Sequence, residues 1–183
     1  MILRDRKNPL SISVMAHPSR EAFFPYLRER LGEDVPFAID EKSEGVWPNA
    51  RRAWALHDPD AIYHVVIQDD AIVCDNFKER AFDAICRGFN HMEGRPFAVN
   101  FYFGRRGNLT EQSKKALERG WCSRQSPTWG VAIALPVDHI KPMLEYAEGF
   151  DSPQDDYRIG MYLKKHGIPV SYTHLTLPTN SRV

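Results

Sequence analysis

A nearly apolar run, Ile62-Tyr63-His64-Val65-Val66-Ile67, ends abruptly in the polar triplet Gln68-Asp69-Asp70. A run of this kind is typical of a strand that is buried on both faces of a parallel sheet. Parallel sheets of α/β proteins bind their ligands beyond the carboxyl ends of the strands. We therefore expect the two carboxylates to lie at the edge of the sheet where a ligand binds.

The adjacent carboxylates of Asp69 and Asp70 predict a metal–diphosphate site. Neighbouring like charges resist burial unless a cation or hydrogen-bond donors compensate them. Hard oxygen ligands suit Mg²⁺ or Mn²⁺, and these cations bind together with substrate phosphates. The alternative for such a dipeptide is a turn or a helix cap outside any site.

The segments around this strand alternate between strand and helix patterns. Strands are predicted at residues 11–16, 35–39, 62–67, 97–103 and 130–135, and a further strand is predicted to start at 168–170. Helices are predicted near residues 18–31, 49–57, 77–87, 111–119, 136–148 and 155–166. The alternation predicts a single α/β, Rossmann-like domain with a mostly parallel central sheet flanked by helices.

Composition sets limits on the class of protein. The 183 residues fit one domain, and 24 basic residues balance 24 acidic ones, which gives no electrostatic argument for a nucleic-acid or membrane-surface partner. Cys74, Cys86 and Cys122 lie far apart without metal-ligand spacing, which favours a reducing compartment. The histidines also lack zinc-site spacing. We expect a cytoplasmic protein without a secretory signal or a membrane span.

The last segment, residues 171–183, is rich in Thr and breaks the alternating pattern. It resembles translated sequencing-adapter read-through. If it is read-through, the domain comprises residues 1–170, and the natural protein continues past Val170. The alternative is an ordinary extended tail.

Over roughly residues 11–170, the chain resembles nucleotide-sugar glycosyltransferases of the GT-A fold. The closest similarity is to the bacterial and phage galactosyltransferase-like type, in which Glu-Asp-Asp or a similar triplet follows the third strand. Here Gln68 takes the first position, which removes one possible carboxylate. The resemblance implies transfer of a sugar from a nucleoside-diphosphate sugar, with a UDP-sugar favoured, to an acceptor hydroxyl of a saccharide or a modified DNA base. It also implies Mn²⁺ or Mg²⁺ as the cofactor.

The resemblance further implies roles for particular residues near the diphosphate. Asp70 would be the direct metal ligand, and Asp69 would contact the metal, a metal-bound water or the ribose. His17 and Arg20 follow the first strand, where this fold opens its nucleotide pocket. Asp40 ends the second strand, where a carboxylate meets the base or the ribose.

Four more residues match positions near the nucleotide and the sugar. Asn49 and Arg52 resemble an Arg-Asn pair near the nucleotide, with a helix cap and a solvated face as the respective alternatives. Trp129 and Gly130 resemble the donor-sugar and acceptor loop. There Gly permits close backbone approach and Trp offers a stacking face, with a core Trp as the alternative.

A second acidic pair, Asp155 and Asp156, follows Gln154 at the start of a predicted helix. It resembles the pair that supplies the general base of inverting transferases, which implies an inverting reaction. A helix N-terminus also favours an ionised carboxylate. N-capping by either residue is the alternative. The family's further ligand near the C-terminus, commonly His, is not assigned to His174.

Three rival functions remain open. A phage enzyme that glycosylates a DNA base could use Arg105-Arg106 and Lys114-Lys115 to contact phosphates, although a solvated face is the alternative. A nucleotidyltransferase is a second rival. A non-catalytic nucleotide-sugar-binding protein is the third.

Overall fold

The computed structural model describes residues 9–102, 122–124, 130–173 and 176–178. The strands in these residues are β1 (Leu10–Ala16), β2 (Phe37–Ile39), β3 (Tyr63–Gln68), β4 (Ala71–Val73), β5 (Ala98–Asn100), β6 (Cys122–Arg124), β7 (Ala132–Pro136), β8 (Val170–Tyr172) and β9 (Thr176–Pro178). The helices are α1 (Phe24–Leu31), α2 (Val46–Ala55), α3 (Phe77–His91), α4 (Ile140–Ala147) and α5 (Asp155–Lys165). Short 3₁₀ helices at Pro18–Phe23 and Val137–His139 precede α1 and α4.

The larger sheet has the strand order β2-β1-β3-β7-β5-β8-β6. Strands β1, β2, β3, β5 and β8 run in one direction, whereas β7 and β6 run in the other. The predicted α/β fold with a mostly parallel, helix-flanked sheet is confirmed. The antiparallel direction of β7 was not predicted, because an antiparallel strand buried on both faces has the same apolar pattern as a parallel one.

The apolar run of β3 arises because both faces of the sheet are covered. Successive side chains of a strand point to opposite faces. Val65 and Ile67 therefore pack in one hydrophobic cluster with residues of α1 and α3. Val66 packs in a second cluster with residues of α2, α4 and α5.

Strand register brings several chain segments to one edge of the sheet. Ala16 pairs with Ile39 and Met15 pairs with Gln68, so β1, β2 and β3 end side by side. Because β7 is antiparallel to β3, it begins at this same edge, where Gln68 N donates to Val131 O at 2.9 Å. The residues that follow β1, β2 and β3 therefore lie at the same edge of the sheet as the residues that precede β7.

Two features lie beyond the predicted elements. β4 forms a separate two-stranded sheet with β9, and strands this short carry little periodicity. β8 pairs with β5 through Tyr172, whose side chain is buried, so the strand extends two residues past Val170. The predicted helix at 111–119 lies outside the described residues. No helix in the described part of the chain is both long enough and apolar enough to cross a membrane.

Candidate active site

Asp69 connects the ends of β1 and β3. Its backbone N–H donates to Met15 O at 3.0 Å, and its Oδ2 accepts a hydrogen bond from the backbone N–H of His17 at 2.7 Å. Burial raises the pKa of the Asp69 carboxyl, and the His17 N–H and the Arg20 charge act in the opposite direction. The backbone after β1 thus holds this carboxylate in place.

Arg20 compensates the two adjacent carboxylates. Its Nη1 lies 3.0 Å from Asp70 Oδ2, and its Nε lies 3.7 Å from Asp69 Oδ1. About 22% of the Asp70 side chain is exposed, compared with 10% for Asp69. Asp70 is therefore the more accessible of the two to a ligand.

The donor set fits a divalent cation that arrives with a diphosphate. Mg²⁺ is commonly held by one or two carboxylates, with substrate phosphates and water as its other ligands. Asp69 and Asp70 supply two such carboxylates. No group of three or more His, Cys, Asp or Glu side chains that could hold a metal occurs in the described ranges.

A cavity of about 220 Å³ lies beside Asp69, at the ends of β1 and β2. His17, Asp40, Ser43 and Asn49 contribute to its lining. Sites for whole drug-sized ligands are roughly 300–1,000 Å³, so this cavity suits one ring of a larger ligand. Three of the predicted nucleotide-binding positions, His17, Asp40 and Asn49, therefore border the same cavity as Asp69.

Asp40 uses its carboxylate to fix the loop that borders this cavity. Its Oδ1 accepts from Glu44 N at 3.0 Å and from Arg52 Nη2 at 2.9 Å, and its Oδ2 accepts from Gly45 N at 3.0 Å. The Gly45 N–H is the largest of the effects that hold the pKa of Asp40 below its ordinary value. The predicted contact of Asp40 with a base or ribose stays a prediction.

Asn49 and Arg52 support the same loop from α2. Asn49 Nδ2 donates to Ala16 O at 2.8 Å, while Arg52 pairs with Glu44 as well as with Asp40. The hydrogen bond to Glu44 is the largest effect raising the pKa of Arg52. The helix-cap alternative for Asn49 is wrong, because the N-cap of α2 is Gly45.

Asp155 and the side chain of Gln68 both lie close to Gly130. A Cβ built on Gly130 would lie 3.1 Å from both carboxylate oxygens of Asp155 and 3.3 Å from Gln68 Nε2. Gln68 ends β3, directly before Asp69 and Asp70. Asp155 of the second acidic pair therefore lies near the end of the strand that carries the first pair.

Burial disfavours ionisation of the second acidic pair. It raises the pKa of Asp155 to about 6, and the nearby charge of Asp156 acts in the same direction. Burial also raises the pKa of Asp156. The N-cap residue of α5 is Gln154, so Asp155 and Asp156 lie in the first turn of the helix. Backbone N–H groups of that turn hydrogen-bond to both carboxylates and act to lower their pKa values, against the effect of burial. A carboxyl with a pKa near neutrality at a ligand-binding edge is a candidate general base.

Sequence reasoning missed the place of Gln68 in this arrangement. It treated Gln68 as the loss of a carboxylate, although a residue at the end of the central strand is itself a signal for a site. Several residues named in the sequence analysis lie outside the described part of the chain: Trp129, Arg105-Arg106, Lys114-Lys115 and His174. Their predicted roles stay predictions.

Comparison of the sequence with models of known protein families and with curated proteins gives no match. A functional conclusion must therefore come from the geometry of this site and from the chemistry of its side chains.

Proposed function

We propose that this protein is a glycosyltransferase that uses Mn²⁺ or Mg²⁺ to move a sugar from a nucleoside-diphosphate sugar to an acceptor hydroxyl. One observation carries the proposal. The Asp69-Asp70 pair directly follows Gln68 at the end of β3, and the buried carboxyl of Asp155 and the side chain of Gln68 both lie close to Gly130. A donor-binding group and a proton acceptor at one strand end are what such a transfer requires.

The donor side is formed by Asp69, Asp70 and the adjoining cavity. The two carboxylates would hold the cation, which when bound neutralises charge on the leaving nucleoside diphosphate. The cavity bordered by Asp40 and Asn49 accepts part of the nucleoside. Arg20 supplies a further positive charge beside the diphosphate.

The acceptor side is formed by Asp155. The acceptor oxygen forms a bond to the anomeric carbon, and the bond from that carbon to the diphosphate oxygen breaks, with its electron pair leaving on the diphosphate. The acceptor proton passes to the Asp155 carboxylate. A pKa of about 6 leaves this group mostly ionised at neutral pH and still basic enough to accept the proton. Attack opposite the diphosphate inverts the anomeric configuration.

The test is incubation with a panel of nucleotide sugars, Mn²⁺ and hydroxyl acceptors, including hydroxymethylated DNA. We expect release of nucleoside diphosphate together with a glycosylated acceptor. In a parallel incubation with nucleoside triphosphates and sugar 1-phosphates, release of pyrophosphate would identify a nucleotidyltransferase instead. Binding of nucleotide sugars without turnover would identify a non-catalytic binding protein.

A further inference from the structure

Strand β2 lies at one end of the larger sheet, where β1 is its strand partner in the described residues. The atoms Pro36 O and Asp40 N, on either side of β2, both bond to β1 at 2.9 Å. Because the backbone groups of successive strand residues point to opposite sides, Phe37 and Ile39 direct their N–H and C=O groups away from β1. No described strand pairs with them there. An unpaired strand edge of this kind is a template for a further strand.

A cavity of about 650 Å³ borders this open edge on the face of the sheet that α1 covers. Its apolar lining includes Phe24 and Pro25 of α1 and Ile39 of β2. The ring of Phe24 lies 5.0 Å from the ring of Phe37 and packs against it. Ligand pockets are commonly about 300–1,000 Å³, so side chains of a bound segment fit here. We call the open edge of β2 and this cavity together the β2 groove.

The rim of the β2 groove is acidic. Glu21, Glu33 and Glu41 line the cavity with exposed side chains, and none of the three has an ion-pair partner in the described part of the chain. Arg28 is the basic residue of the same lining, but its guanidinium lies 4.5 Å from the centre of the Phe37 ring and donates to Glu33 O at 3.1 Å. The whole chain has equal numbers of acidic and basic residues, so this negative charge is a local feature.

We propose that the β2 groove binds an extended, basic peptide segment of a partner protein, which adds a strand to the open edge of β2. Main-chain hydrogen bonds to Phe37 and Ile39 supply affinity, and alternate side chains of the segment supply specificity. On the cavity face, an apolar side chain enters the space beside Phe24 and Ile39, and flanking Lys or Arg side chains reach the carboxylates of the rim. This inference is independent of the proposed function.

The charge of the rim favours this occupant over other classes. A second copy of the chain that paired through its own β2 would bring the acidic rims of both copies together, because the interface of a symmetric dimer uses the same surface twice. Nucleic acid and anionic lipid carry the same sign of charge as the rim. Exposed charges also keep edge strands from pairing with one another, so a purely protective role for these carboxylates is the alternative that the test must separate.

The first test is calorimetric titration with the end-blocked peptide Lys-Thr-Val-Thr-Lys, which places Lys, Val and Lys on one face of a strand. Two N-methylated versions carry methyl groups either on both Thr residues or on Val and the last Lys. Only one of these two sets of N–H groups faces β2 in an added strand. We expect one version to bind about tenfold more weakly, the scale of lost hydrogen bonds, and the other to bind as the unmethylated peptide does. Equal effects of both versions would overturn the proposal.

The second test uses charge-reversal variants. Glu33→Lys/Glu41→Lys reverses two carboxylates of the rim, and the control Glu79→Lys/Glu145→Lys makes the same change at exposed positions outside the groove. We expect the rim variant to bind the basic peptide roughly tenfold more weakly and the control to bind it as the parent does. If the parent binds no basic peptide and the rim variant self-associates in analytical ultracentrifugation, the carboxylates only protect the edge and the proposal is wrong.

Hydrogen exchange of backbone amides locates the bound peptide. We expect the N–H groups of Phe37 and Ile39 to exchange more slowly when the peptide is bound, because they then donate to it. The N–H of Ala38 faces β1 and is the internal control, whose exchange should not change. Binding that leaves Phe37 and Ile39 unprotected would place the peptide elsewhere and overturn the proposal.

Discussion

The same two strands carry polar side chains in two regions that are built differently. In the middle of β1 and β3, His64 is fully buried between Ser11 and Ser13. Ser11 Oγ lies 2.7 Å from His64 Nδ1, and Ser13 Oγ lies 3.0 Å from His64 Nε2. The Ser13 hydroxyl donates its hydrogen to Ala53 O at 2.9 Å, so the Ser13 oxygen accepts from His64 Nε2–H. His64 Nδ1 then carries no hydrogen and accepts a hydrogen bond from the Ser11 hydroxyl. Both ring nitrogens thus have protein partners, and the ring is neutral.

At the carboxyl ends of these strands, the polar groups are charged and only partly compensated. Arg20 lies beside Asp69 and Asp70, while Asp155 is buried with a neighbouring like charge. The central cluster satisfies its polar groups within the protein, as a structural cluster must. The strand ends keep partly exposed charged groups, and on these the proposed cation and diphosphate site depends. This difference separates a core polar cluster from a site.

The largest expected effect is that of Asp155→Asn, which preserves size and removes the proton acceptor. Transfer should fall by roughly 10²-fold or more, with little change in donor affinity. Asp156→Asn should have the smaller effect, because Asp156 is less buried. Steady-state kinetics with a verified acceptor would decide this. If both variants transfer sugar at the parental rate, neither Asp155 nor Asp156 is the general base.

The same substitution should stabilise the protein at neutral pH. The pKa of Asp155 rises from 3.8 unfolded to about 6 folded, so the folded carboxyl binds its proton more tightly. Above pH 6 this group therefore costs stability, up to about 3 kcal/mol, and the cost disappears as the pH falls toward 4. Urea unfolding should show a gain for Asp155→Asn at pH 7 that vanishes near pH 4. A loss of stability at pH 7 would contradict a strained, functional carboxylate.

His64 should show the opposite dependence on pH. Burial lowers its pKa from 6.5 to about 4, so the unfolded chain takes up the proton first. Stability from the neutral ring is complete above pH 6.5 and is lost as the pH falls to 4, by up to about 3 kcal/mol. In His64→Gln, the loss of unfolding free energy that protonation of His64 causes between pH 6.5 and pH 4 should be absent. The control His91→Gln, at an exposed position, should keep it. Parallel pH curves for the parent and His64→Gln would contradict a buried neutral ring.

A smaller effect is expected for Arg20→Gln. Arg20 occupies part of the space around Asp70 and repels a cation, so its removal should tighten binding of Mn²⁺ alone by roughly tenfold, or about 1.4 kcal/mol. Calorimetric titration of Mn²⁺ would measure this, with the exposed Arg80→Gln as the control. Weaker Mn²⁺ binding in Arg20→Gln would mean that Arg20 supports the cation site rather than competing with it.

Local pattern was enough to predict the strands and helices that frame the site. The apolar run at 62–67 predicts a strand covered on both faces, and Val65 and Val66 indeed lie in opposite clusters. Pattern did not predict the direction of β7, which places Gly130 at the same edge as Gln68. Gln68 and Asp155 are far apart in sequence, and only the tertiary structure brings both of them close to Gly130. The loop anchored by Asp40 was missed because its bonds to backbone N–H groups leave no periodic signal.

The most direct test of the metal–diphosphate site is calorimetry of UDP binding with and without Mn²⁺ to the parent protein and to Asp70→Ala. The exposed Asp151→Ala serves as the control. We predict that Mn²⁺ strengthens UDP binding to the parent and to the control, and that this gain collapses in Asp70→Ala, because the more accessible carboxylate is lost. Metal-supported affinity that is unchanged in Asp70→Ala would contradict the assignment of the strand end as a metal–diphosphate site.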